Sequence, residues 1–470
     1  MIEFITKLSN KILEKYETPE DWSLVDTIIL HKKGNRHKIE NYRPIALKTT
    51  ISKIFSKLIA NRIQPLLNDQ QPIEQAGFRK SFSTVDHLHV INQLLEKGRE
   101  YKIDINIALI DYNKAFDSID HNFLIKALRN QGVPESYIQI IKQLYANNKT
   151  RIITDIEGDY FEVRKGVKQG DPLSSVLFNC ALEEVFRNLK WEGKGVNVNG
   201  TWLSNLRFAD DIVLIAKSKE ELAEMIRELK DKSKEAELTM NMKKSKKLIE
   251  EGQESENEIN EGSVGEEEKI ESVSQSTYLG QQIAFKNRTE IEVNTRITKA
   301  WNKYWSLKEI FKGPFKNEQK SEIFNMCIIP TLAYGSQTWS LSSKIINKLN
   351  VAQNSIERSI LNVKKKDHVK IQTLKQKLKN NVSIIKYVRK QKWRWAGHVA
   401  RIKDNRWTYK VTFWYLSHMK RNRGRQMARW EDDINSFLGT KNFARIASDR
   451  LEWERLQDTF AQFGPRIWKI

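Results

Sequence analysis

Two adjacent carboxylates, Asp210 and Asp211, follow Phe208 and Ala209 and lie between two apolar runs of the sequence. Like charges side by side repel, and aspartate is a poor strand former, so such a pair at the turn of a β-hairpin has little structural reason to exist. The pair makes sense if divalent cations occupy the space in front of it. A solvated turn is the alternative explanation.

A third carboxylate, Asp111, follows the run Ile105–Ile110, which is typical of a strand buried on both faces. If this strand neighbours the predicted hairpin, Asp111 and the aspartate pair converge. Together they could hold two Mg²⁺ ions roughly 3.5–4 Å apart, the arrangement that stabilises both oxygens of an in-line phosphoryl transfer. Mg²⁺ prefers such a sparse carboxylate shell, completed by water and substrate phosphates.

Strand-like and helical segments alternate around these carboxylates, which predicts an α+β fold. Residues 1–20 indicate a short amphipathic helix that leads into a strand over 23–30. Apolar residues at helical spacing predict a helix over about 50–66. Another helix is predicted to begin near Asp171. Asp171 can cap this helix, and Pro172 suits its first turn.

The composition favours a polyanionic partner. The 470 residues are enough for a large core and two or three domains, and the net charge of +21 indicates nucleic acid. A merely basic surface is the alternative. Two cysteines, Cys180 and Cys327, exclude a disulfide framework and fit a reducing intracellular setting, in the nucleus or cytoplasm. No run approaches the length of a membrane span, so no membrane partner is expected.

The acidic segments resemble motifs of reverse transcriptases, most closely those of the LINE-type group (non-LTR retrotransposons, jockey-like). The resemblance runs from about Trp22 to Gly280. It implies a right-hand polymerase, in which fingers and a palm with an antiparallel sheet precede a mostly helical thumb and C-terminal region. It rests on the ordered motifs Asn41–Ile45, Gln75–Arg79, Ala108–His121, Gln169–Ser174, Phe208–Asp211, Asn241–Ser245 and Tyr278–Gly280.

For the catalytic centre, the resemblance implies that Asp111 and Asp210 ligate the metal ions. Asp211 completes the pair or assists without direct ligation. The implied cofactor is Mg²⁺, with Mn²⁺ as a substitute. The metals would activate the primer 3′-hydroxyl and stabilise the departing pyrophosphate, so no protein nucleophile is required.

Further residues match positions around the nucleotide. The ring of Phe116 would block the ribose 2′-hydroxyl and so select deoxynucleotides, although packing under the strand is the alternative. Asp117 is instead expected to cap a helix over 118–130 and is left out of the metal site. Gln169 and Gly170 would line the nucleotide pocket, because an amide can hydrogen-bond the substrate and glycine permits close backbone approach.

Three basic residues match positions near the triphosphate. Lys32 and Arg43 correspond to the fingers residues that would grip it, with a salt-bridged surface role as the alternative. Lys244 would protonate or neutralise the leaving pyrophosphate, and a structural lysine is the alternative. The segment Tyr278-Leu279-Gly280 resembles the hairpin that holds the primer end.

We expect most tryptophans beyond residue 290 to pack between helices. The basic residues Arg421, Arg423 and Arg425 are expected to contact phosphates, because the dense charge around Gly424 opposes burial. The predicted organisation is fingers and palm, an acidic disordered insertion, a primer-grip hairpin with thumb, and a basic tryptophan-rich helical region, over residues 1–249, 250–276, 277–345 and 346–470.

The leading hypothesis is an RNA-directed DNA polymerase that extends a DNA primer on an RNA template with dNTPs. The alternative is a catalytically inactive retrotransposon remnant that only binds nucleic acid. A mitochondrial-intron maturase is less favoured, because no acid-poor, arginine-rich transit sequence opens the chain. LINE-type proteins usually carry an endonuclease, and we expect this chain, which begins almost at the fingers, to lack that domain.

Overall fold

A computed structural model describes residues 1–32, 34–155, 157–250, 270–380, 382–416, 419 and 427–465. Strands and helices alternate up to residue 284 and helices dominate afterwards, which confirms the α+β class. The strands are β1 (Leu24–His31), β2 (Tyr42–Leu47), β3 (Asn106–Ile110), β4 (Lys149–Ile153), β5 (Phe161–Glu162), β6 (Val196–Val198), β7 (Thr201–Leu203), β8 (Asn205–Phe208), β9 (Asp211–Ala216), β10 (Lys246–Leu248), β11 (Glu271–Val273), β12 (Gln275–Tyr278) and β13 (Gln281–Ala284).

The helices account for most of the remaining described chain, together with short 3₁₀ turns and one π turn over Phe324–Ile328. They are α1 (Ile2–Lys15), α2 (Thr50–Gln70), α3 (Thr84–Tyr101), α4 (Ala115–Ser118), α5 (His121–Asn130), α6 (Glu135–Tyr145), α7 (Ser174–Arg187), α8 (Lys219–Lys234), α9 (Arg288–Ser306), α10 (Lys308–Lys312), α11 (Asn317–Ile323), α12 (Ile329–Leu332), α13 (Ser343–Ile360), α14 (Ile371–Leu378), α15 (Ile384–Ala400), α16 (Trp407–Thr412), α17 (Asp432–Leu438), α18 (Ala444–Ala447) and α19 (Arg450–Phe463).

The central sheet has the strand order β11-β10-β3-β9-β8. Its middle strands are apolar on both faces, as predicted for 105–110. Ala108 and Ile110 pack into one hydrophobic cluster with α2, α5, α6, α7 and α8, whereas Ile107 and Leu109 pack into another with α3 and α16. Burial on both faces fixes the register of these strands, because a slip of one residue would exchange the two faces.

A second sheet, with the order β2-β1-β4-β5, lies at the N-terminal side of the chain. A buried ion pair between Lys48 and Asp171 joins the end of β2 to the start of α7, and Ser56 also donates to Asp171, at 3.1 Å. The Asp171 carboxylate accepts a hydrogen bond from Leu173 N at 2.9 Å, just before α7 begins at Ser174. A helix follows Asp171 as predicted, but it begins at Ser174 with Leu173 as its N-cap, so the predicted cap at Asp171 and the first-turn position of Pro172 are wrong.

Two predicted boundaries are wrong. Asp117 does not cap the helix over 118–130; α5 begins at His121, and the Asp120 side chain accepts from Phe123 N at 2.7 Å. The predicted disordered insertion 250–276 extends too far at its C-terminal end. Residues 251–269 lie outside the described residues, but β11 and the first half of β12 fall within 270–276, and β11 is ordered by its parallel pairing with β10.

The helices after β13 pack around large aromatic side chains, as expected for most of the tryptophans. Trp393 and Trp453 stack with ring centroids 3.8 Å apart, and each indole N–H donates to the backbone carbonyl of the other residue. Trp305 is an exception because its side chain is exposed. Within the described ranges, no helix combines the length and apolar character needed to cross a bilayer.

Candidate active site

Asp111 and Asp211 are brought together by the register between β3 and β9. These strands run antiparallel, and Ile110 lies opposite Ile212. Continued by one residue, this register brings Asp111 opposite Asp211, the first residue of β9. Directly opposed residues of an antiparallel pair have Cα atoms about 4.5–5.5 Å apart. The two carboxylates therefore share one end of the central sheet, and both line the same small cavity.

Asp210 lies in the two-residue turn between β8 and β9. Phe208 pairs with Asp211, which leaves Ala209 and Asp210 to form the turn. Ala209 has a φ of 56°, a left-handed conformation that glycine normally supplies at this position of a tight hairpin. The predicted hairpin is confirmed, and its turn is strained. We use the term acidic site for Asp111, Asp210 and Asp211.

The loop Pro72–Arg79, which we call the glutamine–glycine loop, supports this turn. Gln75 Oε1 accepts hydrogen bonds from Gly77 N at 2.8 Å and from Ala209 N at 3.1 Å. Gly77 passes so close to the turn that a Cβ there would collide with the backbone of Ala209. Asn179 on α7 donates to the Gly77 carbonyl at 2.7 Å. None of these three supporting residues was predicted as a site residue. The Gln-x-Gly spacing is the signal for Gln75 and Gly77, and Asn179 has no such local signal.

The segment Asn241–Ser245 supports Asp111 in a similar way. Asp111 N donates to Ser245 Oγ at 3.1 Å, and Asn241 N donates to the Asp111 carbonyl at 2.7 Å. The same segment carries Lys244, whose Nζ lies 3.6 Å from Asp111 Oδ2. Lys244 is therefore at the acidic site, as the sequence predicted, and Asn241 and Ser245 hold the backbone of the aspartate.

Desolvation and mutual repulsion disfavour negative charge in the acidic site. The surrounding protein raises the pKa of Asp211 to about 6, and the charges of Asp210 and Asp111 add to this effect. Desolvation also raises the pKa of Asp210, and the negative charge of Asp111 adds to this increase. A backbone hydrogen bond and the positive charges of Lys32 and Arg43 act in the opposite direction and lower the pKa of Asp210. Additional positive charge would therefore stabilise the ionised site.

The donor atoms of the acidic site suit hard divalent cations, which prefer carboxylate oxygens. Asp111 Oδ2 is buried and accepts no hydrogen bond from any described residue. A divalent cation would satisfy this oxygen and offset the repulsion between the carboxylates. Across the described ranges, no three His, Cys, Asp or Glu side chains are already gathered closely enough to hold a metal ion. Water and substrate phosphates would complete the shell, as is usual for Mg²⁺.

Phe116 and Gln169 lie in a second group of residues near the acidic site. The half-buried Phe116 ring stacks on Phe178 at a centroid distance of 4.3 Å, and its other neighbour, the exposed Phe78, meets it edge-on at 6.2 Å. These contacts fix the ring without burying it completely. The Gln169 side chain donates to Asp117 Oδ1 at 2.9 Å, so Asp117 orients the glutamine instead of capping a helix.

Lys32 directly follows β1, Arg43 lies in β2, and Gly170 is joined to β2 through the segment that contains Gln169. The charges of Lys32 and Arg43 reach Asp210, and neither side chain forms an ion pair with a described residue. Gly170 has a φ of 102°, and a Cβ there would lie 3.1 Å from the Ala46 carbonyl oxygen. The Gln169 carbonyl accepts from Ala46 N at 2.8 Å, which joins this segment to β2.

The β12–β13 hairpin borders the acidic site. Tyr278 lines the same cavity as Asp111 and Asp211, and its buried hydroxyl lies 3.1 Å from His87 Nδ1. Leu279 and Gly280 form the turn with positive φ angles of 44° and 81°. Two side chains from the helical region after β13 hold this turn. Tyr334 donates a hydrogen bond to the Leu279 carbonyl at 2.7 Å, and Arg296 donates to the Gly280 carbonyl.

The predicted phosphate-contacting residues Arg421, Arg423 and Arg425 lie outside the described residues. Their role stays a prediction. By contrast, Arg429, which follows them, packs against α3, where it pairs with Glu100 and lies 3.3 Å from the Tyr101 hydroxyl.

Residues 30–283 match the family described as Reverse transcriptase (RNA-dependent DNA polymerase). This match covers more than half of the chain and includes the acidic site, the glutamine–glycine loop and nearly all of the β12–β13 hairpin. The chain therefore belongs to the reverse transcriptase family.

The chain is also similar to proteins of transposable elements. A putative uncharacterized transposon-derived protein of Caenorhabditis elegans is 30% identical over 269 residues, which cover 55% of this chain and 96% of that protein. The Pol polyprotein from type-1 retrotransposable element R2 of Nasonia vitripennis is 27% identical over 70% of this chain, which spans only 32% of that relative. The resemblance to non-LTR retrotransposon reverse transcriptases is confirmed.

Among solved structures, a telomerase from Candida albicans, in complex with a fragment of telomeric RNA, aligns with a TM-score of 0.45. The alignment is 11% identical and covers 80% of this chain and 71% of the telomerase chain.

The close approach of Gly77 to the Asp210 turn generates a prediction. Gly77→Ala should lower the rate of single-nucleotide primer extension by about 100-fold, because the added Cβ displaces the turn and a small misplacement of a catalytic group is costly. Circular dichroism would establish that the variant is folded. Gly158→Ala is the matched control, since its Cβ would meet only the backbone of Ile152, no closer than 3.3 Å. A wild-type rate for Gly77→Ala would contradict the supporting role of the loop.

Proposed function

We propose that this chain is an RNA-directed DNA polymerase that adds deoxynucleotides to the 3′-hydroxyl of a DNA primer on an RNA template. The observation that carries the proposal is the β3–β9 register, which aligns Asp111 with Asp211 beside the turn that contains Asp210. Membership of the reverse transcriptase family supports it. The net charge of +21 suits the polyanionic template and primer.

Asp111, Asp210 and Asp211 would hold Mg²⁺ ions, for which Mn²⁺ can substitute. When bound, such ions supply Lewis-acid stabilisation of the attacking 3′-oxygen and of the departing pyrophosphate. Lys244 carries a positive charge beside Asp111, so it is suited to protonate or neutralise the leaving pyrophosphate. The backbone supports from Gln75 and Ser245 keep the aspartates in position before substrate arrives.

The residues around Phe116 would bind and select the incoming nucleotide. The Phe116 ring, fixed between Phe78 and Phe178, excludes a ribose 2′-hydroxyl by its bulk. Gln169 and Gly170 line the pocket, where the side chain of Gln169 is oriented by Asp117. Lys32 and Arg43, which lack ion-pair partners among the described residues, attract the triphosphate.

The β12–β13 hairpin would hold the primer end next to the acidic site. Tyr278 borders the cavity that Asp111 and Asp211 line, and the Leu279–Gly280 turn is tied to the helices that follow. In this proposal residues 1–249 bind template and nucleotide, and residues 277–345 hold the primer.

Substitution of one metal-binding carboxylate tests the proposed activity. Asp210→Asn should lower primer extension on poly(rA) by about 100-fold or more, because an amide is a poor ligand for a hard cation. Template–primer affinity, measured by fluorescence anisotropy, should stay within about twofold of wild type, since one carboxylate contributes little to the polyanion-binding surface. Asp231→Asn, on the exposed face of α8, is the control.

Two results would contradict the polymerase assignment. Folded wild-type protein that shows no extension dependent on Mg²⁺ or Mn²⁺ would support the inactive remnant. Equal loss of extension and template binding in Asp210→Asn would assign Asp210 a folding role instead of a catalytic one.

The assignment of Phe116 as the sugar-selecting residue has its own test. Phe116→Val should raise the ratio of ribonucleotide to deoxyribonucleotide kcat/KM by about 10- to 100-fold, because the smaller side chain leaves room for the 2′-hydroxyl. Phe116→Tyr retains the ring and should keep the wild-type ratio. An unchanged ratio in Phe116→Val, with extension intact, would leave Phe116 with a packing role only.

A further inference from the structure

The glutamine–glycine loop is bound on one side to the strand that leads into the Asp210 turn. Arg207 N donates to the Glu74 carbonyl and Ala76 N donates to the Arg207 carbonyl, both at 2.8 Å. Gln75 continues this contact by accepting from Ala209 N. Any movement of the loop at Glu74 is therefore transmitted to the backbone of β8 and to the turn.

The opposite side of the same loop is bound by α16, which lies far away in the sequence. The Trp407 indole N–H donates to Glu74 Oε1 at 2.8 Å, and the Trp407 ring is buried against the central sheet. Arg406, which precedes the helix, donates to the Ser81 carbonyl at 2.7 Å and lies over the Phe82 ring at 4.0 Å. Side chains of one short segment thus clamp the loop and the residues that follow it.

At the start of α3, next to this loop, the negative charge of Asp86 is balanced by the segment that contains Arg406 and Thr408. Asp86 is buried and caps α3 by accepting from Ser83 N at 2.9 Å. Its other oxygen accepts from Thr408 Oγ1 at 2.9 Å, and the Arg406 guanidinium lies 3.6 Å away. A buried carboxylate requires such partners, because leaving it unpaired is strongly unfavourable. Arg406 and Thr408 lie outside residues 30–283, the segment that matches the family.

We propose that α16 is a positioning element of the polymerase site, in which Trp407 fixes Glu74 and thereby fixes the turn that presents Asp210. The chain of contacts is short: indole N–H to Glu74 side chain, Glu74 carbonyl to Arg207, and Gln75 to Ala209. Trp407 does not touch the acidic site, so its effect on catalysis is indirect. The catalytic part of this inference rests on the proposed function, whereas the coupling of Trp407 to the turn does not.

Hydrogen–deuterium exchange tests the coupling without measuring activity. In the full chain, Trp407→Phe should make the peptide 205–211 exchange about tenfold faster, because the amides of Arg207 and Ala209 donate to the loop that Trp407 holds. Trp395→Phe is the matched control. It removes the same indole N–H from a buried tryptophan of the same region, but that N–H has no hydrogen-bond partner among the described residues. It should leave the exchange of 205–211 unchanged.

Variants of Glu74 keep the inference testable if Trp407→Phe fails to fold. Glu74→Gln retains an acceptor for the indole and should exchange like wild type, whereas Glu74→Leu should resemble Trp407→Phe. The inference is overturned if Glu74→Leu leaves the peptide 205–211 at the wild-type rate, or if Trp395→Phe accelerates it as much as Trp407→Phe does.

Kinetics then separate positioning from a general loss of structure. Trp407→Phe should lower kcat for nucleotide addition by about tenfold and change KM for the dNTP less than about twofold, because Gln169, Lys32 and Arg43 lie on other elements. Trp395→Phe should keep the wild-type kcat. If wild-type protein does not extend primers at all, the proposed function fails while the exchange result still decides the coupling. Unchanged kcat together with faster exchange would remove the catalytic part of the inference.

Discussion

Three carboxylates can share one end of this fold because β3 and β9 pair antiparallel in a fixed register. Both strands are apolar on their two faces, and each face belongs to a different hydrophobic cluster. A slip by one residue would exchange the faces and move each of these side chains into the packing of the other cluster. The apolar pattern that stabilises the sheet therefore also sets the position of Asp111 relative to Asp211, and with it the chemistry that the site can perform.

The acidic site is held against its own repulsion by neutral hydrogen bonds to the backbone. Desolvation and like charges raise the pKa of Asp210 and Asp211, and the left-handed Ala209 adds strain at the turn. The glutamine–glycine loop and Ser245 offset these costs from two sides. Strain of this kind persists only where the surroundings over-determine it, which is common at sites prepared for a ligand.

Local pattern predicted the strands over 23–30 and 105–110, the aspartate hairpin and the helix after Asp171, because each is encoded within a few consecutive residues. The cap at Asp120 was missed because Asp117 and Asp120, three residues apart, are equally good candidates for a helix N-cap. In the structure Asp117 binds Gln169, and Asp120 caps the helix. The contact of Trp407 with Glu74 joins residues 333 positions apart and has no local signature. Sequence motifs identified the segment that contains Gln75, but only packing revealed which of its atoms support the turn.

Crystals of the full chain soaked in Mn²⁺ would test the central claim most directly, through the anomalous signal of the metal. We predict peaks within ligand distance of the Asp111 and Asp210 carboxylates, and their loss in Asp210→Asn crystals. The absence of any peak at these carboxylates, or an experimental structure in which Asp111 lies too far from Asp210 to share an ion, would contradict it.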